Sequence, residues 1–194
     1  SSVYGDEKTL PKKEEKTGAL LSPYAVSKMV DELYAHVFGN GYGQEIVGLR
    51  YFNVFGPRQD PEGPYAAVVP QWIIGLLKEK KTTVNGDGKT SRDFCYVANS
   101  VQANLLAASA NAAKGNVYNI SVGQRTSLNK LHRQLRTLTG HKARPEYRPF
   151  RTGDIKHSLA DISAAKRDLG FRPTHTNEEG LGLTVAWYRQ KLEQ

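Results

Sequence analysis

The sequence predicts an α/β fold, and three observations support this prediction. Residues 23–39 carry apolar side chains close to a 3.6-residue period, which is typical of a helix. Residues 46–52 follow a short glycine-containing turn and are rich in apolar and β-branched side chains, as expected of a strand. A helix joined to a strand by a short turn is half of a parallel βαβ unit. No repeat or flexible linker interrupts the chain, so any two domains must be interleaved in sequence.

The other elements follow from the same patterns. Residues 1–5 have the pattern of a strand end, and glycines at 39–41 are expected to end the first helix. Residues 53–67 form a long loop with glycine and proline, of a length usually associated with function or disorder. Further helices are predicted at 68–77, 98–112, 127–138, 163–169 and 177–192, and short strands at 82–85, 94–97, 117–120 and 145–148.

Composition limits the classes of protein to consider. With 194 residues, 39% of them hydrophobic, the chain can bury a sizeable core. No apolar run approaches the roughly 20 residues that span a bilayer, and the polar N-terminus lacks a signal-peptide pattern, so we expect a cytoplasmic protein. The single cysteine, Cys95, excludes an intramolecular disulfide and a cysteine-built zinc site. The five histidines have no metal-ligand spacing, so no metal site is predicted.

The chain is basic, with a formal charge of +8 from 27 basic and 19 acidic residues. Such a charge attracts nucleic acid, an anionic membrane or a small phosphorylated ligand. The basic residues are dispersed and form no dense arm of the kind that binds nucleic acid. The pattern therefore favours a small phosphorylated ligand, with neither nucleic acid nor a membrane as partner.

Tyr24 and Lys28 are the strongest catalytic candidates. Residues four apart share one helical face, and Ser22 and Pro23 suit a helix start. For a tyrosine to act as a base near neutral pH, its pKa must fall by roughly 3 units, equivalent to about 4 kcal/mol. One cation at about 4 Å supplies that order of energy at an effective dielectric of about 20. The alternative is a solvated helix face with an aromatic anchor.

Several ordered segments together resemble a known family. They are residues 1–6 (SSVYGD), Tyr24-xxx-Lys28, 49–57 (LRYFNVFGP), 91–94 (SRDF), 118–120 (YNI) and 151–154 (RTGD). Over essentially its full length the chain resembles the C-terminal part of the extended short-chain dehydrogenase/reductases, and within them the nucleotide-sugar 4-epimerases. Residues 58–61 and 65–70 look most like the UDP-N-acetylglucosamine (UDP-GlcNAc) 4-epimerases that feed surface polysaccharide synthesis.

The resemblance implies the C-terminal part of a Rossmann-like NAD-binding domain, interleaved with a smaller α/β substrate-binding domain. Residues 1–54 and 92–125 would belong to the first domain, and residues 55–91 and 126–194 to the UDP-sugar domain. The implied activity is reversible, NAD-dependent 4-epimerisation of UDP-GlcNAc and UDP-GalNAc through a 4-keto intermediate. The parent protein would be a homodimer formed through a four-helix contact.

The resemblance also assigns site residues. Tyr24 would be the catalytic base, Lys28 would lower the pKa of that phenol and hold the nicotinamide ribose, and both would contact the cofactor together with Tyr51. Substrate contacts are implied for Ser1, Ser2, Asn53, Ala67, Val68, Thr83, Asn85, Arg92, Arg151, Asp154 and Ser158. In these contacts Asn53 and the two arginines would bind the diphosphate, and Asp154 the uridine ribose. An ion pair of Arg92 with Asp93, an ordinary turn at 151–154, and plain packing of residues 67, 68, 83 and 85 are the alternatives.

Ser158 bears on which sugar fits. Family members restricted to UDP-glucose and UDP-galactose carry a bulky tyrosine at the corresponding place. A blocked pocket costs on the order of 1 to 3 kcal/mol in overpacking, so serine is expected to admit an N-acetyl group. An unremarkable loop serine is the alternative.

The chain also departs from the family pattern. The glycine-rich turn that cradles the cofactor pyrophosphate is absent from these residues, and the family's catalytic Ser or Thr would stand just ahead of Ser1. We therefore expect the chain to be part of a longer protein and to be inactive by itself. The related 4,6-dehydratases carry Asp and Glu where this chain has Ser1 and Ser2, which disfavours a lyase. A dehydratase or decarboxylase on the same scaffold, or a non-catalytic UDP-sugar-binding fragment, remain the alternatives.

Overall fold

The computed structural model describes residues 1–62, 67–110, 115–142, 144–150 and 155–194. Its helices are α1 (Pro23–Tyr42), α2 (Val68–Leu77), α3 (Val97–Ser109), α4 (Leu128–Thr139), α5 (Ser163–Asp168) and α6 (Asn177–Leu192), preceded by a 3-10 turn at Ser2–Tyr4. Its strands are β1 (Gly48–Tyr51), β2 (Val54–Phe55), β3 (Thr83–Asn85), β4 (Ser91–Arg92), β5 (Cys95–Tyr96), β6 (Val117–Ile120), β7 (Thr126–Ser127) and β8 (Glu146–Arg148).

The strands pair mainly in parallel. Strand β1 pairs with β6 from Gly48 opposite Val117 to Tyr51 opposite Ile120. Strand β2 pairs with β5 and β3 with β8, also in parallel, whereas β4 and β7 are antiparallel. Because parallel pairs need crossover connections, the helices lie between paired strands in the sequence, and the predicted α/β class is confirmed.

Several predicted boundaries are wrong. Strand β2 lies within the loop predicted at 53–67, and α3 ends at Ser109 instead of residue 112. Two other differences have a visible physical reason. Residues 2–4 form a 3-10 turn and no strand end, because the chain reverses at Gly5, whose φ is 53° and whose backbone lies too close to Ala19 for any Cβ. Helix α1 continues through the glycines at 39–41 to Tyr42, where Gly43 takes the left-handed conformation and donates to the Phe38 carbonyl. Each glycine costs a helix about 1 kcal/mol. The Phe38 and Tyr42 rings, 5.2 Å apart and stacked, hold that last turn together.

The core consists of three buried clusters. The largest joins α2, α4 and α6 around Trp72, whose indole donates to the Thr83 carbonyl over 3.1 Å. A second cluster packs β6 against α3 and α5 around Tyr118 and Phe171. A third places Val3 and Tyr4 against Phe52, under the start of α1. The third cluster positions the segments that carry most of the candidate site.

Helix α1 differs from the other long helices because only Ala25 is buried in it. Many of its large apolar side chains are exposed: Tyr24, Val26, Val30, Leu33, Tyr34, Val37, Phe38 and Tyr42. Across the described ranges, no helix is long and apolar enough to cross a membrane.

Candidate functional site

The Tyr24 and Lys28 side chains lie next to each other at the start of α1. Ser22 caps the helix by accepting from the Ala25 N–H over 3.1 Å, and Pro23 occupies the first turn. The Lys28 ammonium lies 5.9 Å from the centre of the Tyr24 ring, and Tyr24 is 61% exposed. A bound molecule can therefore reach both groups.

The Lys28 ammonium has a hydrogen-bond partner other than the Tyr24 phenol. It donates to the Asp31 carboxylate over 2.7 Å, and this hydrogen bond raises the pKa of Lys28 above its ordinary value. An ammonium has three donors, so two remain for the tyrosine oxygen or a bound ligand. Asp31 thus keeps Lys28 protonated and in place, and leaves two of its donors available.

A cleft of about 680 Å³ opens between α1 and β1. Four predicted site residues line it, namely Ser1, Tyr24, Lys28 and Tyr51. The Tyr51 hydroxyl itself donates to Asn104 of α3 over 2.9 Å, so only the rest of that side chain is available to the cleft. The catalytic and cofactor candidates therefore share one surface.

A second cleft, of about 300 Å³, lies beside the first. Five predicted substrate residues line it: Ser1, Ser2, Asn53, Arg92 and Ser158. Because Ser1 lines both clefts, the two lie next to each other at that residue. Residues that are up to 157 positions apart in sequence thus meet in one place.

Asn53 and Arg92 are fixed by backbone acceptors. Asn53 has a φ of 39°, a left-handed conformation that asparagine tolerates better than most residues. Its amide donates to the Asp93 carbonyl over 3.0 Å and lies 3.4 Å from the Ser158 hydroxyl. The Arg92 guanidinium donates to the carbonyls of Ser91, over 3.2 Å, and Lys156, over 3.1 Å.

Asp93 is a structural anchor of this cleft. It is fully buried, and it accepts from the Ser121 hydroxyl over 2.6 Å and from the Ala160 N–H over 3.1 Å. Burial raises the pKa of this carboxyl, although its hydrogen bonds oppose the shift. Asp93 therefore ties the segment that carries Ser158 to the end of β6.

Other predicted site residues lie elsewhere. Ala67 and Val68 start α2, and Thr83 and Asn85 belong to β3; none of the four lines either cleft. Arg151 and Asp154 lie outside the described residues. The roles implied for all six stay predictions.

The sequence reasoning missed two groups of residues at the site. Lys12 lines the second cleft although it belongs to a charged loop. In the walls of the clefts, the Arg50 guanidinium binds the Glu32 carboxylate through two hydrogen bonds of 2.7 and 2.8 Å and donates to the Tyr4 hydroxyl over 3.0 Å. A charged residue inside a strand pattern, such as Arg50, was the available signal.

Metal and thiol chemistry find no support in the described ranges. No group of three His, Cys, Asp or Glu side chains there could hold a metal ion. The Cys95 thiol is buried, and burial raises its pKa to about 11. A neutral, enclosed thiol is a poor nucleophile.

Comparison with known proteins identifies the family of this chain. The model of the NAD dependent epimerase/dehydratase family matches residues 1–121. A UDP-glucose 4-epimerase of Mycolicibacterium smegmatis is 35% identical over 192 residues, covering 99% of this chain and 61% of that protein.

Two solved structures are also similar. One is UDP-N-acetylglucosamine 4-epimerase from Methanobrevibacter ruminantium M1 in complex with UDP-N-acetylmuramic acid, with a TM-score of 0.93 and 41% identity. It is matched over 98% of this chain and 61% of its own. The other is UDP-glucuronic acid 4-epimerase from Bacillus cereus in complex with UDP-glucuronic acid and NAD, with a TM-score of 0.89, 32% identity, and 98% and 60% coverage.

These matches confirm the predicted Rossmann-like α/β fold and the NAD-dependent family. The chain spans about three fifths of the length of these relatives. Since the family model covers more than half of its residues, the chain belongs to the NAD dependent epimerase/dehydratase family.

Proposed function

We propose that this chain is the catalytic and substrate-binding part of a UDP-hexose 4-epimerase, with UDP-GlcNAc and UDP-GalNAc as substrates. One observation carries the proposal: the cleft with Tyr24 and Lys28 adjoins, at Ser1, the cleft with Asn53 and Arg92. A proton acceptor for a sugar hydroxyl thus lies beside groups suited to a diphosphate.

The residues present also fit the nicotinamide half of NAD. The exposed phenol and the ammonium with two unused donors suit a ribose and a ring, whereas nothing in the sequence cradles the pyrophosphate. A longer protein would supply that turn. When bound beside Tyr24 and Lys28, NAD would supply the hydride acceptor and donor for the oxidation and reduction at the sugar carbon.

The proton steps fall to Tyr24. Its phenolic oxygen takes the proton of the sugar 4-hydroxyl as the 4-keto sugar forms. It returns the proton after the keto sugar has rotated in the site and is reduced on its other face. Lys28 stabilises the phenolate by its charge, and Asp31 holds Lys28 in position. The pair is solvent-accessible, so bound ligands must exclude water from it.

Substrate binding falls to the residues of the second cleft. Asn53 and Arg92 bind the diphosphate, and the family resemblance assigns Arg151 to the same diphosphate and Asp154 to the uridine ribose. Ser158, half-buried beside Asn53, leaves room for an acetamido group.

Three wider proposals accompany the activity. We infer a division into an NAD-binding domain (1–54, 92–125) and a UDP-sugar domain (55–91, 126–194). We infer that the protein acts in the cytoplasm, in surface polysaccharide synthesis. We also infer a homodimer through α1, where Val26, Val30, Leu33 and Val37 form one exposed stripe at coiled-coil spacing. Sedimentation of the longer protein as a monomer at micromolar concentration would contradict the dimer.

The decisive experiment uses the longer protein with NAD and UDP-GlcNAc. The expected product is UDP-GalNAc, and release of water instead would establish the dehydratase alternative. Release of carbon dioxide from UDP-glucuronic acid, offered in a parallel assay because UDP-GlcNAc has no carboxyl group to lose, would establish the decarboxylase alternative. Tyr24→Phe is expected to abolish turnover while UDP-sugar affinity stays nearly unchanged. A Tyr24→Phe protein with the full rate would show that another group is the base.

A further inference from the structure

Lys12 is a charged residue held inside the protein. Only 4% of its surface is exposed, and its backbone is fixed on both sides. Its N–H donates to the Leu159 carbonyl over 2.7 Å, and its carbonyl accepts from the Asn119 amide and the Asp161 N–H, each over 2.9 Å. These contacts fix the backbone of Lys12 against residues 159–161 and the side chain of Asn119.

The Lys12 ammonium is under-satisfied where it lies. It donates to the Glu7 carbonyl, and in the described part of the chain no carboxylate comes within ion-pair distance of it. Burying an ammonium is costly unless acceptors replace its water, and an ammonium offers three donors. Two of those donors are left unused, and Lys12 is one of the residues that line the second cleft.

A second unsatisfied group lies in the same wall. The Ser2 hydroxyl oxygen is buried and has no hydrogen-bond partner among the described residues, and Ser2 also lines the second cleft. A buried hydroxyl without a partner is uncommon in native proteins and calls for an explanation. Lys12 and Ser2 both line the second cleft and both have unused hydrogen-bonding capacity, which suits an oxygen-rich ligand.

Lys12 lies beside the serine that is expected to admit the acetamido group. Its N–H donates to the carbonyl of Leu159, the residue after Ser158, and Lys12 pairs with Ala160 in a parallel bridge. Lys12 and Ser158 both line the second cleft. Lys12 is therefore placed to contact a ligand group that lies next to Ser158.

We propose that Lys12 determines substrate specificity by donating a hydrogen bond to the acetamido carbonyl oxygen of the bound UDP-sugar. The proposal rests on the function proposed above and extends it to a residue outside the segments that resemble the family. An amide carbonyl is a stronger acceptor than a sugar hydroxyl, so the ammonium favours the N-acetylated sugar. Ser158 then admits the acetamido group, and Lys12 binds it.

The test is calorimetric titration of the longer protein, loaded with NAD, with UDP, UDP-glucose and UDP-GlcNAc. A hydrogen bond to a charged donor corresponds to about a tenfold to hundredfold change in affinity. Lys12→Met is expected to weaken UDP-GlcNAc binding by that factor while UDP and UDP-glucose change less than about twofold. The matched control is Lys13→Met, because Lys13 is the exposed neighbour in the same loop. Lys12→Gln, which keeps a donor for the Glu7 carbonyl, is expected to show the same selective loss if Lys12→Met fails to fold.

The possible results distinguish a failure of the Lys12 inference from a failure of the proposed function. Equal weakening of all three ligands would make Lys12 a diphosphate or structural residue, and unchanged UDP-GlcNAc binding would remove it from the site; either result overturns the inference alone. A wild-type longer protein that binds none of the three overturns both this inference and the proposed UDP-sugar site.

Discussion

The bond between Arg50 and Glu32 should determine how firmly α1, and with it Tyr24, is held. The Arg50 guanidinium meets the Glu32 carboxylate through two hydrogen bonds of 2.7 and 2.8 Å, with the side chains 8% and 20% exposed. Arg50 also donates to the Tyr4 hydroxyl and, over 2.9 Å, to the Glu14 carbonyl. Glu32 is the partner that joins this network to α1.

The expected cost of Glu32→Gln follows from this geometry. Breaking a fully buried ion pair by removing one partner costs about 3 to 5 kcal/mol, because an uncompensated charge stays buried. Glu32 is one fifth exposed, and Arg50 keeps the Tyr4 and Glu14 acceptors, so solvent and these groups offset part of the loss. We therefore expect Glu32→Gln to lower the free energy of unfolding by about 2 to 3 kcal/mol.

The measurement is urea unfolding of the wild type, Glu32→Gln, Arg50→Met and the double variant. The coupling energy of the cycle is expected to be about 1.5 to 3 kcal/mol, since the two side chains are in direct contact. Asp31→Asn is the control because Asp31, next to Glu32 on α1, is exposed and should leave stability unchanged. A Glu32→Gln loss below about 0.5 kcal/mol, the usual range of surface substitutions, would refute the reasoning.

Two further predictions concern selectivity and pH. Ser158→Tyr should reduce the rate of the longer protein on UDP-GlcNAc at least about tenfold through overpacking, with UDP-glucose turnover retained; equal losses on both sugars would make Ser158 only structural. Burial lowers the pKa of His132 in the folded chain below its ordinary value of 6.5. As the pH falls through that value, the unfolded chain therefore binds more protons than the folded chain does. Stability should therefore decrease between pH 7 and pH 5, and His132→Gln should flatten that decrease in urea titrations; an unchanged pH slope in the variant would exclude His132 as its source.

Local patterns predicted the elements well and their ends less well. The helical period of residues 23–39 and the strand composition of 46–52 depend on neighbours in sequence, so α1 and β1 could be found from them. The end of α1 could not, because the stacking of Phe38 on Tyr42 and the left-handed Gly43 outweigh the glycines before them. The 3-10 turn at Ser2–Tyr4 likewise depends on the return of the chain past Gly5.

The candidate site divides in the same way. Tyr24 and Lys28 could be paired because a helix brings residues four apart together. Lys12 could not be recognised, because a lysine in a loop rich in Lys and Glu is ordinarily solvated. Its burial depends on backbone bonds to Leu159 and Asp161, about 150 residues away, and no local pattern encodes such a pairing.

The contacts of α1 explain why the hydrogen bonds of Arg50 to Glu32 and Tyr4, in the walls of the clefts, should affect turnover. Helix α1 buries only Ala25, so hydrophobic packing among the described residues fixes its position weakly. The directional bonds from Arg50 to Glu32 and Tyr4 instead tie the helix to β1 and to the turn that follows Ser1 and Ser2. The phenol of Tyr24 and the serines thus share one polar anchor. A change that loosens this anchor should shift the base relative to the sugar and lower turnover even where every group that touches the substrate is intact.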